Sequence, residues 1–167
     1  MISRRQLLRG RLSGGPVPLR PPWAVAEADF TSVCSRCGDC VSACAETIIR
    51  NGDGGFPEID FRYGECSFCG DCVVACPTGA LRRSDAGTRP WLAKAAIRDT
   101  CIAMRGVFCQ VCQEQCEIGA IGFPPRVGVV PLPELDSEAC TGCGACVAGC
   151  PVSAISVSLS TSQGVAA

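Results

Sequence analysis

The sequence predicts an α+β fold of two similar modules in tandem, each made of short helices and small antiparallel hairpins, behind a basic N-terminal tail. Three observations predict it. Sixteen of the 167 residues are cysteine, about one in ten, a density typical of scaffolds held by something other than packing. Those cysteines fall into a fourfold repeat of one spacing. The remaining apolar residues make up little more than a third of the chain, with only nine aromatics, too few for a conventional core of this length.

In chain order the elements are as follows. Residues 1–28 are expected as a basic, flexible tail: Arg4, Arg5, Arg9, Arg11 and Arg20 lie there with no acid before Glu27. The first module is expected over 29–84 and the second over 101–160, with a connecting segment over 85–100 and a short tail over 161–167. The motif C-x2-C-x2-C-x3-C occurs three times, as Cys34-Cys37-Cys40-Cys44, Cys66-Cys69-Cys72-Cys76 and Cys140-Cys143-Cys146-Cys150. A fourth copy, Cys109-Cys112-Cys116, has Gly106 where its first cysteine belongs, and Cys101 is the unused cysteine upstream. The last cysteines are spaced so that the first repeat pairs with the second and the third with the fourth.

Within each repeat the first three cysteines sit on a turning loop. The third and fourth, four residues apart, are expected to share one face of a short helix. Pro77 and Pro151 help to end two of these helices. An apolar pair follows each last cysteine at four and five residues: Ile48-Ile49, Ala80-Leu81, Ala120-Ile121 and Ala154-Ile155. Strands are expected at Thr47–Arg50 and Glu58–Phe61, joined through Asn51-Gly52-Asp53-Gly54-Gly55, and near Ala120–Phe123, Val127–Pro131 and Ala154–Leu159. Pro90–Ile97 is expected as a connecting helix.

The chain has no histidine, which excludes Ser-His-Asp and Cys-His nucleophilic chemistry and any zinc site needing imidazole. It shows no general acid–base pair and no phosphate loop, so it is not expected to be an enzyme. A formal charge of −1 gives no reason to expect nucleic acid or an anionic membrane surface. No apolar run of about 18 residues is present, so no membrane span is expected. Ser3-Arg4-Arg5-Gln6-Leu7-Leu8 has the look of a twin-arginine export signal, but the polar, broken stretch Arg9–Pro16 stands where an apolar region belongs. The expected location is cytoplasmic, where thiols stay reduced and serve as metal ligands rather than disulfides.

Zinc ribbons space two C-x2-C pairs by about 15–20 residues, unlike four cysteines in eleven. The repeated spacing is that of 4Fe–4S cluster ligands, in which three cysteines wrap one side of a cube and the fourth comes from the paired motif. The expected fold is therefore two fused bacterial-type 2[4Fe–4S] ferredoxin-like modules. The expected ligand sets are Cys34, Cys37, Cys40 and Cys76 for the first cluster and Cys66, Cys69, Cys72 and Cys44 for the second. They are Cys101, Cys109, Cys112 and Cys150 for the third, and Cys140, Cys143, Cys146 and Cys116 for the fourth. At the irregular third site a 4Fe–4S cluster, a 3Fe–4S cluster and an empty site all stay open. Gly38, Gly70 and Gly144 follow a second cysteine, where the third repeat has Gln110. Each loaded oxidised cube adds about −2, so Arg36, Arg62, Arg82, Arg83, Arg98 and Arg105 are candidates to screen them.

Further residues narrow the reading: Ser3-Arg4-Arg5, Leu8-Arg9-Gly10-Arg11 and Arg20-Pro21-Pro22-Trp23; Glu65-Cys66-Ser67-Phe68-Cys69; Gly142-Cys143-Gly144-Ala145-Cys146; Cys150-Pro151-Val152-Ser153-Ala154-Ile155; and the displaced Cys101. On these, over about residues 2–157, the chain resembles the NapF family of ferredoxin-type proteins from periplasmic nitrate reductase systems. The resemblance implies a cytoplasmic protein with several 4Fe–4S clusters. It implies association with the catalytic molybdenum subunit of periplasmic nitrate reductase before export, and a role in maturing that subunit by inserting or reducing its cluster. The alternative is an electron carrier between redox enzymes with no maturation role.

Overall fold

The structure, a computed structural model, describes residues 17–83 and 89–159. Four one-turn helices repeat along it, each beginning just before the third cysteine of a motif: α2 (Asp39–Ser42), α3 (Asp71–Val74), α4 (Val111–Glu114) and α5 (Ala145–Ala148). A longer helix, α1 (Glu27–Val33), precedes them and carries Glu27 and Asp29 in its first turn, where the helix dipole favours negative charge.

Three two-stranded antiparallel sheets join these helices among the described residues. Strand β1 (Ile49–Asn51) pairs with β2 (Pro57–Ile59), Ile49 opposite Ile59, across the expected Gly-rich turn. The equivalent hairpin of the second module pairs β4 (Ile121–Gly122) with β5 (Glu134–Leu135). No strand forms at Val127–Pro131: Val127 and Val129 point into solvent, Gly128 has φ +76°, and pairing resumes only beyond Pro133.

The expected helix over Pro90–Ile97 is instead an extended segment ending in strand β3 (Ala93–Ile97). It pairs in full register with β6 (Ile155–Leu159), Ala93 opposite Leu159 and Ile97 opposite Ile155. Ala93 and Ala95 are buried, and the alternation with Lys94 and Ala96 is a two-residue period. Alanine favours helix locally, and the non-local partner overrides it. Each module thus closes by bringing the segment before its first motif onto the segment after its last. In the first module that outer pair shrinks to a single bridge, Ala24 opposite Leu81.

The same closure orders part of the expected tail. Its first sixteen residues lie outside the described residues. Residues 19–25 are packed: Pro21 and Pro22 are fully buried, and Val25 N–H donates to Ala80 O at 3.0 Å. Arg20 forms a two-pronged pair with Glu27 (2.7 and 2.8 Å), and its guanidinium lies over the rings of Phe30 (5.0 Å) and Phe56 (5.6 Å).

Two small cores result. One holds Phe30, Ile48, Ile49, Phe61, Ala80 and Leu81 with Cys40 and Cys72; the other holds Ala95, Ala103, Ile121, Phe123, Ala154 and Ile155 with Cys101, Cys112 and Cys146. The apolar pairs after the last cysteines are buried in both. Each core is wrapped around thiols.

Candidate metal centres

Three cavities are each bounded by four cysteines. The first is bounded by Cys34, Cys37, Cys40 and Cys76, the second by Cys44, Cys66, Cys69 and Cys72, and the third cavity by Cys116, Cys140, Cys143 and Cys146. Their sizes, about 380, 410 and 360 Å³ and open in part to solvent, mark them as one kind of site. In each, three cysteines come from one motif and the fourth from its partner, because the one-turn helix places its third cysteine on one cavity and the fourth on the other. Of the remaining four, Cys101, Cys112 and Cys150 pack in one core, and burial and then the neighbouring Cys101, Cys109 and Cys150 push the Cys112 thiol up to about 11. Cys101 reaches this group because a single 3-10 turn, Ala103–Arg105, folds back behind it and ends at Gly106, φ +81°.

The backbone is shaped the same way at each regular motif. The residue before the second cysteine (Arg36, Phe68, Gly142) and the glycine after it (Gly38, Gly70, Gly144) both have positive φ. Left-handed residues on either side of a cysteine give each regular motif the tight loop on which backbone N–H groups can form an anion-binding concavity. Gln110 keeps φ at −131°, so the irregular motif lacks this turn. A further left-handed residue stands three places after every last cysteine: Thr47, Gly79, Gly119 and Ser153. It aims the next amides at sulfur. Leu81 N–H donates to Cys76 Sγ (3.4 Å), Ala120 N–H to Cys116 Sγ (3.3 Å) and Ala154 N–H to Cys150 Sγ (3.2 Å). Sequence reasoning missed this position, because glycine marks only two of its four occurrences.

Cations sit beside the cysteine loops. Arg36 lines the first cavity. Arg83, stacked over Trp23 at 4.1 Å, donates to Cys69 O (3.2 Å). Lys94, not among the sequence candidates, donates to Cys140 O (2.5 Å), and Arg98 donates to Ser153 O. Arg62 is instead held by Asp60, whose carboxyl it keeps below its usual range, and Arg82 lines a separate groove.

Among the described residues no three His, Cys, Asp or Glu side chains lie close enough to hold a single metal ion. One tetrahedral ion with bonds of about 2.3 Å needs sulfurs roughly 3.8 Å apart. Four thiols spread around a cavity suit a polynuclear core. Burial, first among the causes, pushes Cys40 and Cys66 up to about 11 and Cys72 and Cys146 up to about 12. These thiols become thiolates only when positive charge arrives among them. At Cys76 burial acts the same way, but the Leu81 amide, the Thr78 hydroxyl and the amides of Thr78 and Ala80 outweigh it and hold the thiol below its usual value. The donor set, the cavities and the inward amides fit 4Fe–4S clusters.

Models of the 4Fe–4S dicluster domain match residues 33–81 and 105–154. Ferredoxin-type protein NapF of Haemophilus influenzae is 43% identical over 93% of each chain, and that of Escherichia coli 44% identical over 92% of each. Methylamine utilization ferredoxin-type protein MauM of Methylobacillus flagellatus is 37% identical over 88% of this chain and 70% of its own. With two dicluster domains, cysteine-lined cavities and near full-length identity to these relatives, the chain belongs to the NapF family of ferredoxin-type proteins and carries multiple 4Fe–4S clusters.

Proposed function

We propose that this chain is a cytoplasmic accessory of periplasmic nitrate reductase that acts on the catalytic molybdenum subunit before its export, inserting or reducing that subunit's 4Fe–4S cluster. The ligand sets we propose are the four crossed ones: Cys34, Cys37, Cys40 with Cys76; Cys66, Cys69, Cys72 with Cys44; Cys101, Cys109, Cys112 with Cys150; and Cys140, Cys143, Cys146 with Cys116. The observation that carries the reading is apolar surface at the irregular site. Phe108, beside Cys109, is 67% exposed, and Val107 and Met104 are exposed with it. A client surface can bury them within reach of a ligand loop.

When bound, the clusters supply one-electron carriage. The chain's own residues do the rest. The cysteines hold the metal as thiolates. The Leu81, Ala120 and Ala154 amides stabilise negative charge on sulfur, and Arg36, Arg83, Lys94 and Arg98 offset the charge of the loaded loops.

The test is an anaerobic pull-down with the catalytic subunit carrying its export signal. Wild-type protein should retain it, and Phe108→Ser should weaken capture at unchanged iron content. Deleting residues 2–16, which removes four arginines and leaves the packed segment intact, should do the same. If neither change affects capture while reduced protein passes electrons freely to unrelated acceptors, the chain is a general carrier and the accessory reading is wrong.

A further inference from the structure

The two modules meet through the loops of their inner sites. Cys66 N–H donates to Cys143 O at 2.8 Å, so a ligand of the second cavity is bonded directly to a ligand of the third. Trp91 braces this contact. Its ring meets Phe61 and Phe68 edge-on, at 6.1 and 5.7 Å, and its Nε1–H donates to Thr141 O at 3.0 Å. Val147 and Val157 of the second module pack on the core of the first. The fit leaves no room for a side chain. A Cβ on Gly144 would lie 2.1 Å from the Phe61 ring, and one on Gly142 would lie 2.3 Å from Ala93 O. Gly38, at the equivalent place in the first motif, has nothing within 4 Å. One end of the tandem is open and its middle is closed.

We propose that the four sites form a single relay, in which the Cys66 N–H to Cys143 O hydrogen bond and the Trp91 wedge join the two halves. This rests on the crossed ligand sets above. The order runs from the Cys34 site to the Cys66 site, across the junction to the Cys140 site, and on to the Cys109 site. Crossed ligands link the pair inside each module: Cys40 and Cys44 bound adjacent cavities, and in the second module α4 carries Cys112, with Cys116 just beyond its end on the third cavity. The step across the junction is one electron out of the group on Cys66 and one into the group on Cys143. No proton moves and no bond forms, and an external low-potential one-electron donor supplies the electron. The tandem is then one conductor with two outer ends, rather than two independent carriers on one chain.

The experiment uses anaerobic full-length protein reduced with dithionite and read by EPR. The double variant Cys76→Ser, Cys150→Ser opens the two outer sites and should retain about half the iron. Its reduced spectrum should show spin–spin interaction between the two remaining centres, and adding Trp91→Ala should abolish it. Magnetically isolated signals at half iron overturn the relay and leave the ligand sets standing. Loss of iron from the inner sites instead overturns the ligand sets. In the otherwise unaltered protein, Trp91→Ala should speed exchange of the Cys66 amide at least tenfold and remove part of the interaction broadening at full iron content. A spectrum unchanged while that amide is freed also overturns the relay.

Discussion

Arg20 ties the segment before the first motif to the module behind it, and its removal tests whether that segment is part of the fold. Its side chain is 10% exposed and bonds both Glu27 carboxylate oxygens, Pro57 O (3.2 Å) and, at 3.5 Å, Glu58. A charge-assisted pair of this kind contributes about 1.5–3 kcal/mol, and each ring contact about 0.5–1 kcal/mol. Glu27 is 38% exposed and regains water when the pair is broken, which keeps the first figure at its lower end. Arg20→Ala should therefore cost about 2–4 kcal/mol, a roughly 30- to 700-fold rise in local opening. The assay is amide hydrogen exchange on the anaerobic protein. Val25 N–H (to Ala80 O), Ile59 N–H (to Leu19 O) and Arg82 N–H (to Trp23 O) should all exchange faster by that factor. Asp136 N–H, bonded to Ala120 O in the second module, is the control and should not change. Arg20→Lys keeps the charge but not the planar fork, and should fall between. Exchange at Val25 and Ile59 within about threefold of wild type in Arg20→Ala would refute the reasoning.

Four further predictions concern the sites and the loops around them. On the proposed crossed ligand sets, Cys76→Ser should perturb the cluster of the Cys34 motif and Cys44→Ser that of the Cys66 motif, each visible in EPR as loss of the partner motif's signal. Cys101→Ser should lower iron by up to about a quarter. Arg83→Gln removes positive charge from the Cys69 loop, so one centre should become harder to reduce. Its midpoint should fall by tens of millivolts in an EPR-monitored titration, on the order of the change expected from one nearby charge. Gly38→Ala meets open space and should cost only the backbone strain of a left-handed alanine, about 1–2 kcal/mol. Gly144→Ala adds a clash with the buried Phe61 ring and should cost clearly more, measured as the denaturant midpoint for loss of visible iron–sulfur absorbance.

The cysteine spacing and the Ile48-Ile49 type of apolar pair made the sites and the core legible, because both are local and repeat four times. The helices around Cys40, Cys72, Cys112 and Cys146 were legible for the same reason. What stayed hidden is non-local. Ala93–Ile97 has the composition of a helix and becomes a strand only because Ile155–Leu159, some sixty residues on, lies beside it. Arg20–Val25 reads as more of a basic tail until Leu81 and Glu27 come to meet it. The left-handed turn after each last cysteine is occupied by Thr47 and Ser153 as well as by glycines, so composition does not announce it. Trp91 shows its role only against Phe61, Phe68 and Thr141, residues from both modules.

On the proposed ligand sets, four inorganic clusters stand among the cysteines of two thin apolar cores. Iron and acid-labile sulfide measured on anaerobically purified full-length protein test this most directly. About sixteen of each per chain are expected. A compactly folded, colourless protein holding zinc, or no metal at all, with no sulfide would contradict it.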